Sequence, residues 1–140
     1  MTAGAGGVLA RILAIAIGGA AGSVARYLVS GWVQRSPVLL RFGTFGPALP
    51  WGTFLVNLTG CLLMGFLAGL FQERLVVHPD VRALVLIGIL GGYTTFSSFA
   101  VETLRLVQQG SLPLAAANGV VGPILCLLGV WAGDALSRVL

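Results

Sequence analysis

The sequence has little charge and no lysine. Of its 140 residues only 9% are charged and 57% are hydrophobic, whereas a soluble domain carries roughly 25% charged residues. The eight basic residues are all arginines, and they stand singly, mostly near the ends of apolar runs. This pattern lacks the basic stripe that nucleic acid requires. The composition therefore predicts a multi-pass integral protein of the cell membrane that lies in a lipid bilayer and does not bind nucleic acid.

Cysteines and acidic residues are also scarce. Cys61 and Cys126 both lie inside apolar runs, which argues against a disulfide framework or a metal cluster and favours core packing. The first of the four acidic residues is Glu73, and Glu102 is the only one deep in an apolar run. No nucleophile, base and acid occur in a pattern typical of an active site, so we do not expect an enzyme.

Four apolar runs are long enough to cross a bilayer. They cover about residues 8–33, 51–71, 81–107 and 112–136, and about 20 apolar residues suffice for a helical span. The chain is too short for a second domain of any size. We therefore predict that residues 1–140 form a single four-helix transmembrane domain of the all-α class.

The third run contains the densest polar pattern. Its segment 91–99, GGYTTFSSF, places two adjacent glycines before two threonines and two serines. Adjacent glycines weaken a helix, and non-helical backbone at membrane depth occurs only where it is buried in protein or lines water. We predict that the third helix is broken near its middle, with freed carbonyls that hold a cation and hydroxyls that meet a polar solute. The alternative is a kinked helix whose hydroxyls bond to their own turn.

The other runs carry isolated polar side chains. Arg26 continues a small-residue face of the first run, which points it into a protein interface or an aqueous mouth, unless it reaches the headgroups. Asn57, in the second run, needs a polar partner, which is either a solute or a neighbouring helix. In the fourth run Gly122-Pro123 is a candidate helix break, and Asn118 is its polar side chain.

The arginines are balanced between the two sides of the membrane. Four spans place both termini on one side, together with Arg11, Arg74, Arg82 and Arg138, while the other side holds Arg26, Arg35, Arg41 and Arg105. Orientation normally follows the bias of basic residues. Four against four predicts that both orientations are made, and chains of opposite orientation can pair as an antiparallel dimer about a two-fold axis in the membrane plane.

These stretches resemble the CrcB, or Fluc, family of fluoride channels. The matching residues are Gly18 to Gly22 with Arg26-Tyr27, Gly52-Thr53 with Val56-Asn57 and Gly60, and segment 91–99 with Glu102. The resemblance implies a fluoride-selective channel that passively exports fluoride and lowers its toxicity. It also implies a dual-topology dimer with two antiparallel pores. We expect a homodimer, with a heterodimer of related subunits as the alternative.

The resemblance also implies a sodium ion. The ion would be structural rather than transported, and the main-chain carbonyls of Gly91 and Thr94 would hold it on the two-fold axis. Carbonyl oxygens freed by a helix break are hard ligands that suit an alkali cation. Two copies of the chain would supply four of them.

The resemblance further implies which residues meet the anion. Phe96, Phe99 and Asn57 would line the pores, and Arg26 would lie near the aqueous vestibule. The electropositive edge of an aromatic ring can stabilise a dehydrated anion without a full positive charge. Hydroxyl donors can replace the water that fluoride gives up. The expected ion-pathway residues are therefore Asn57, Phe96, Phe99, Thr95, Ser97, Ser98 and Arg26.

Two alternatives differ in function. A small dual-topology multidrug exporter couples efflux to protons through a membrane-embedded carboxylate in its first span, and the first span here has no acidic residue. A non-conducting partner subunit of a heterodimeric channel is the second alternative. The fourth span favours it, because family members commonly carry tyrosine and serine there and this chain has only Asn118.

Overall fold

The computed structural model describes residues 5–37 and 49–139, and these are helical with no strand among them. The helices are α1 (Ala5–Gln34), α2 (Trp51–Glu73), α3 (79–93), α4 (Phe96–Gln108) and α5 (Leu112–Val139). Helices α3 and α4 are the two halves of one span, Pro79–Gln108. Four spans are thus long and apolar enough to cross a membrane, which confirms the prediction of an all-helical, multi-pass membrane protein. Arg41 lies outside the described residues.

A seam of glycines sets the contact between α1 and α3. A Cβ added to Gly18 would lie 3.0 Å from the Cα of Gly88, and one added to Gly92 would lie 2.6 Å from the carbonyl oxygen of Gly19. Only glycine lets two helix backbones approach this closely. The seam therefore fixes the end of α3 against the middle of α1.

Helices α2 and α5 pack together in the same way. A Cβ on Gly65 would lie 2.8 Å from the carbonyl carbon of Val130, and one on Gly133 would lie 2.8 Å from the amide nitrogen of Phe66. The contacts advance along both helices together, so α2 and α5 run parallel, as the single span between them requires. Helix α4 follows the end of α3 and contacts both members of this pair.

The third span is broken, but not at the glycines that predicted the break. Gly91 has helical angles (φ −65°, ψ −35°), whereas Thr94 (φ −81°, ψ 155°) and Thr95 (φ −151°, ψ 123°) are extended. Gly92 serves the close approach to α1 instead. The break falls where Thr95 can cap a new helix, since its hydroxyl accepts from the amide of Ser98.

The candidate break at Gly122-Pro123 is not a break. Helix α5 continues through it, and the preceding residues Ala117–Val121 wind as a π-helix. Proline lacks the N–H that would bond to the carbonyl four residues earlier. The wider π turn takes up that irregularity, as such turns often do within α-helices.

Candidate functional site

A cavity of about 500 Å³ opens at the break in the third span. Helices α2, α4 and α5 and both sides of the break form its wall. The wall includes six of the nine residues predicted to meet the anion or hold the sodium ion: Asn57, Gly91, Thr94, Thr95, Phe96 and Phe99. Arg26, Ser97 and Ser98 lie outside the wall as the described residues form it. The break and the predicted pathway residues therefore meet mostly in one place.

Asn57 holds the break in position. Its Nδ2 donates to the carbonyl oxygen of Thr95 at 3.0 Å, and its Oδ1 accepts from the amide of Thr95 at 2.8 Å. An extended residue inside a helical span loses its helical hydrogen bonds, and no water replaces them in hydrocarbon. The single amide of Asn57 supplies both partners from α2. The polar partner of Asn57 within this chain is thus the main chain of the break.

Two backbone amides near the break donate to side chains, whereas in a continuous helix they would donate to the carbonyls of Gly91 and Thr94. In an α-helix the amide of residue i+4 donates to the carbonyl of residue i. The amide of Thr95 donates to Asn57 rather than to the carbonyl of Gly91. The amide of Ser98 donates at 3.3 Å to the hydroxyl of Thr95 rather than to the carbonyl of Thr94. The carbonyls of Gly91 and Thr94 therefore lose their helical donors.

Arg26 hydrogen-bonds to the carbonyl of Gly92, which lies between Gly91 and Thr94 in the sequence. Its Nε donates to the carbonyl oxygen of Gly92 at 3.2 Å, and the hydroxyl of Ser23 donates to the same atom at 3.5 Å. Arg26 is half-buried and lies in the contact between α1 and α3. A place for Arg26 in an aqueous vestibule stays a prediction.

The two phenylalanines stack at the start of α4. The ring centroids of Phe96 and Phe99 lie 5.4 Å apart, with their planes at 42°. Phe96 is 78% exposed on the single chain. An aromatic ring carries its positive potential at the edge. Two tilted rings in the wall of the cavity can therefore offer their edges to an anion.

The hydroxyls of the motif divide into two groups. Thr94 donates to the carbonyl of Leu90 at 3.0 Å, so it bonds to its own turn, as the alternative reading of the motif proposed. Thr95 instead hydrogen-bonds with the hydroxyls of Ser97 and Ser98, each at 3.3 Å. Thr95, Ser97 and Ser98 thus form a cluster of hydroxyls at the start of α4, and each hydroxyl can rotate to donate to a different partner.

Two further sets of hydrogen bonds join α4 to its neighbours, one to α2 and one to α5. The hydroxyl of Thr53 donates to Glu102 at 2.7 Å. The amide of Asn118, which is buried, donates at 2.8 Å to the hydroxyl of Thr103, which in turn donates at 2.8 Å to the carbonyl of Phe99. Sequence reasoning missed Thr103. The available signal was its position one turn after Phe99, on the same face of α4.

Comparison with known proteins adds independent findings. Residues 13–134 match the family model described as CrcB-like protein, Camphor Resistance (CrcB). A fluoride-specific ion channel FluC of Methylococcus capsulatus is 44% identical over 91% of this chain. Proteins of the same name from Magnetococcus marinus and Rhizobium meliloti are 44% and 42% identical over 90% and 92% of it. The chain spans 52% of the Methylococcus protein's length, and 96% and 97% of the other two.

Proposed function

This chain belongs to the CrcB family, and we propose that it is a fluoride-selective channel that passively exports fluoride across the cell membrane and so lowers fluoride toxicity. The relatives named above are fluoride-specific ion channels. The observation that carries the proposal is the cavity at the break. It combines paired aromatic rings with hydrogen-bond donors, and no acidic residue lies in its wall among the described residues.

The cavity wall suits a small, strongly hydrated anion. Each side-chain amide nitrogen has two donors, and Asn57 uses one on Thr95, which leaves a second for a solute. The hydroxyl of Thr95 and the edges of Phe96 and Phe99 add partial positive charge. The described part of the wall contains no arginine, and Arg26, which lies outside it, donates to the carbonyl of Gly92, so no full positive charge in the wall traps the anion. Binding that is weak and divided among several groups is what conduction requires.

A structural sodium ion fits the break. The carbonyls of Gly91 and Thr94 lack their helical donors because Asn57 and Thr95 take those amides, and carbonyl oxygens suit a hard cation. Gly91 is exposed on the single chain, so its backbone is accessible to a second copy. The ion would tie the two breaks together at the axis of the dimer and would not be transported.

The proposed assembly is an antiparallel, dual-topology homodimer. On the single chain Phe96 is exposed and the cavity that it lines is open. An anion in such a cavity would meet lipid unless another protein surface completed the wall. A second copy in the opposite orientation supplies that surface, and the balanced arginines allow both orientations to be made.

The first prediction concerns transport by this chain alone. Liposomes that contain only the purified chain should release fluoride when valinomycin clamps the voltage, as measured with a fluoride electrode. Fluoride should exceed chloride by about 100-fold or more, a difference of about 3 kcal/mol. The reversal potential should follow the fluoride gradient and remain unchanged by a sodium gradient.

Empty liposomes and chloride-loaded liposomes are the controls for that experiment. Equal chloride flux, or a requirement for a proton gradient, would contradict the channel. A reversal potential that follows sodium would make sodium a substrate. Flux that appears only after a related subunit is added would replace the homodimer with a heterodimer.

The second prediction concerns orientation. Three lysines added after Leu140 should hold the termini in the cytoplasm, because basic residues near a span are retained there. A chain locked in one orientation should lose fluoride flux and regain it when it is produced together with a chain locked the other way. Three added serines are the matched control. A cysteine placed at the C-terminus of a Cys61→Ser, Cys126→Ser chain reports the orientation. If this cysteine is labelled from one side only in the chain without added lysines, dual topology is contradicted.

A further inference from the structure

Cys61 of α2 and Cys126 of α5 both line the cavity at the break. The helix register pairs the two residues across the contact between α2 and α5. One turn further along each helix, a Cβ on Gly65 would lie 3.0 Å from the Cα of Val130. The two thiols therefore share the register of the tightest part of the contact.

We propose that Cys61 and Cys126 form a paired-thiol site for a soft metal cation that accepts two sulfur ligands in a line, such as Hg²⁺. Thiolates select soft cations over hard ones. Within residues 5–37 and 49–139 no third His, Cys, Asp or Glu joins the pair in a metal site. A structural zinc site needs four ligands, so two thiols alone suit a two-coordinate ion.

Binding at this site needs no oxidant. Each thiol releases one proton, each sulfur forms one bond to the metal, and the metal keeps its charge state. Both cysteines are partly accessible from the cavity, which gives the ion a path to the sulfurs. The bound ion joins α2 to α5 in the wall of the cavity. This site does not depend on the proposed function.

The test titrates the purified full chain with HgCl₂. Sulfur–mercury absorbance gives the number of ions bound, and a thiol reagent added after denaturation counts the free thiols. One ion per chain should consume both thiols. Because the second bond is intramolecular, glutathione should strip the ion from wild type only at a concentration about 100-fold higher than from Cys61→Ser or Cys126→Ser.

The chain offers its own controls. The double variant, Cys61→Ser with Cys126→Ser, gives the background absorbance, and size-exclusion profiles establish that each variant is folded. Two ions per chain, or unreactive thiols in the folded protein, would overturn the proposal. So would a single variant that resists glutathione as well as wild type does. The wild-type stoichiometry decides the question even where a variant fails to fold.

Discussion

Asn57→Asp should reduce fluoride flux by about 100-fold or more. Asn57 donates to the carbonyl of Thr95 and accepts from its amide. A carboxylate can still accept but has no donor, so it faces the carbonyl of Thr95 without a hydrogen bond. A buried group left without its partner costs about 1–3 kcal/mol. The negative charge in the cavity wall then repels the anion as well.

Flux from liposomes with equal amounts of folded protein measures this loss. Gln72→Glu is the matched control, because it makes the same amide-to-carboxylate change on α2 at an exposed position outside the cavity wall. This variant should conduct like wild type. The oligomeric state separates the two roles of Asn57. Loss of flux together with the dimer indicates an anchor of the break, whereas loss of flux in an intact dimer indicates a donor to the anion. Unchanged flux in folded Asn57→Asp would contradict both roles.

The sequence was sufficient to predict the spans because hydropathy is a local property. Each apolar run is continuous, and its length alone distinguishes a membrane helix from a buried soluble one. The hydroxyl-rich segment likewise predicted a break in the third span. The exact position of the break was missed because the local sequence does not show that Gly92 serves a helix contact while Thr95 begins the next helix. Gly92 allows close contact with Gly19 in α1, and Thr95 caps the N-terminus of α4.

The partners of the polar side chains were beyond the reach of sequence reasoning. Asn57 and Thr95 lie 38 residues apart, and Asn118 reaches Thr103 in the preceding span. A side chain at membrane depth must find some polar partner, so the sequence indicates that a contact exists. Which residue provides it depends on how the helices cross. The diverted donors at Gly91 and Thr94 follow from those crossings and could not be derived before them.

The neighbouring glycines at the break should respond differently to the same substitution. A Cβ on Gly91 meets only the carbonyl oxygen of Leu86, at 3.7 Å, which is ordinary contact, whereas a Cβ on Gly92 would lie 2.6 Å from the carbonyl oxygen of Gly19. Gly91 has helical backbone angles that any residue can adopt, so backbone strain does not explain why this position is a glycine. If a second copy packs at the break, the reason is room for that copy.

Gly91→Leu should therefore fold as a single chain but lose the dimer, and with it about 100-fold or more of the fluoride flux. Gly92→Leu should destabilise the chain itself, because overpacking a tight contact typically costs about 1–3 kcal/mol. Circular dichroism with thermal melting reports the fold, size exclusion reports the dimer, and liposome efflux reports the function. Gly91→Ala is the matched control, since its methyl group fits the space inside the chain. A dimeric, conducting Gly91→Leu variant would mean that the break does not lie at a contact between subunits, and the sodium ion proposed there would lose its second pair of carbonyls.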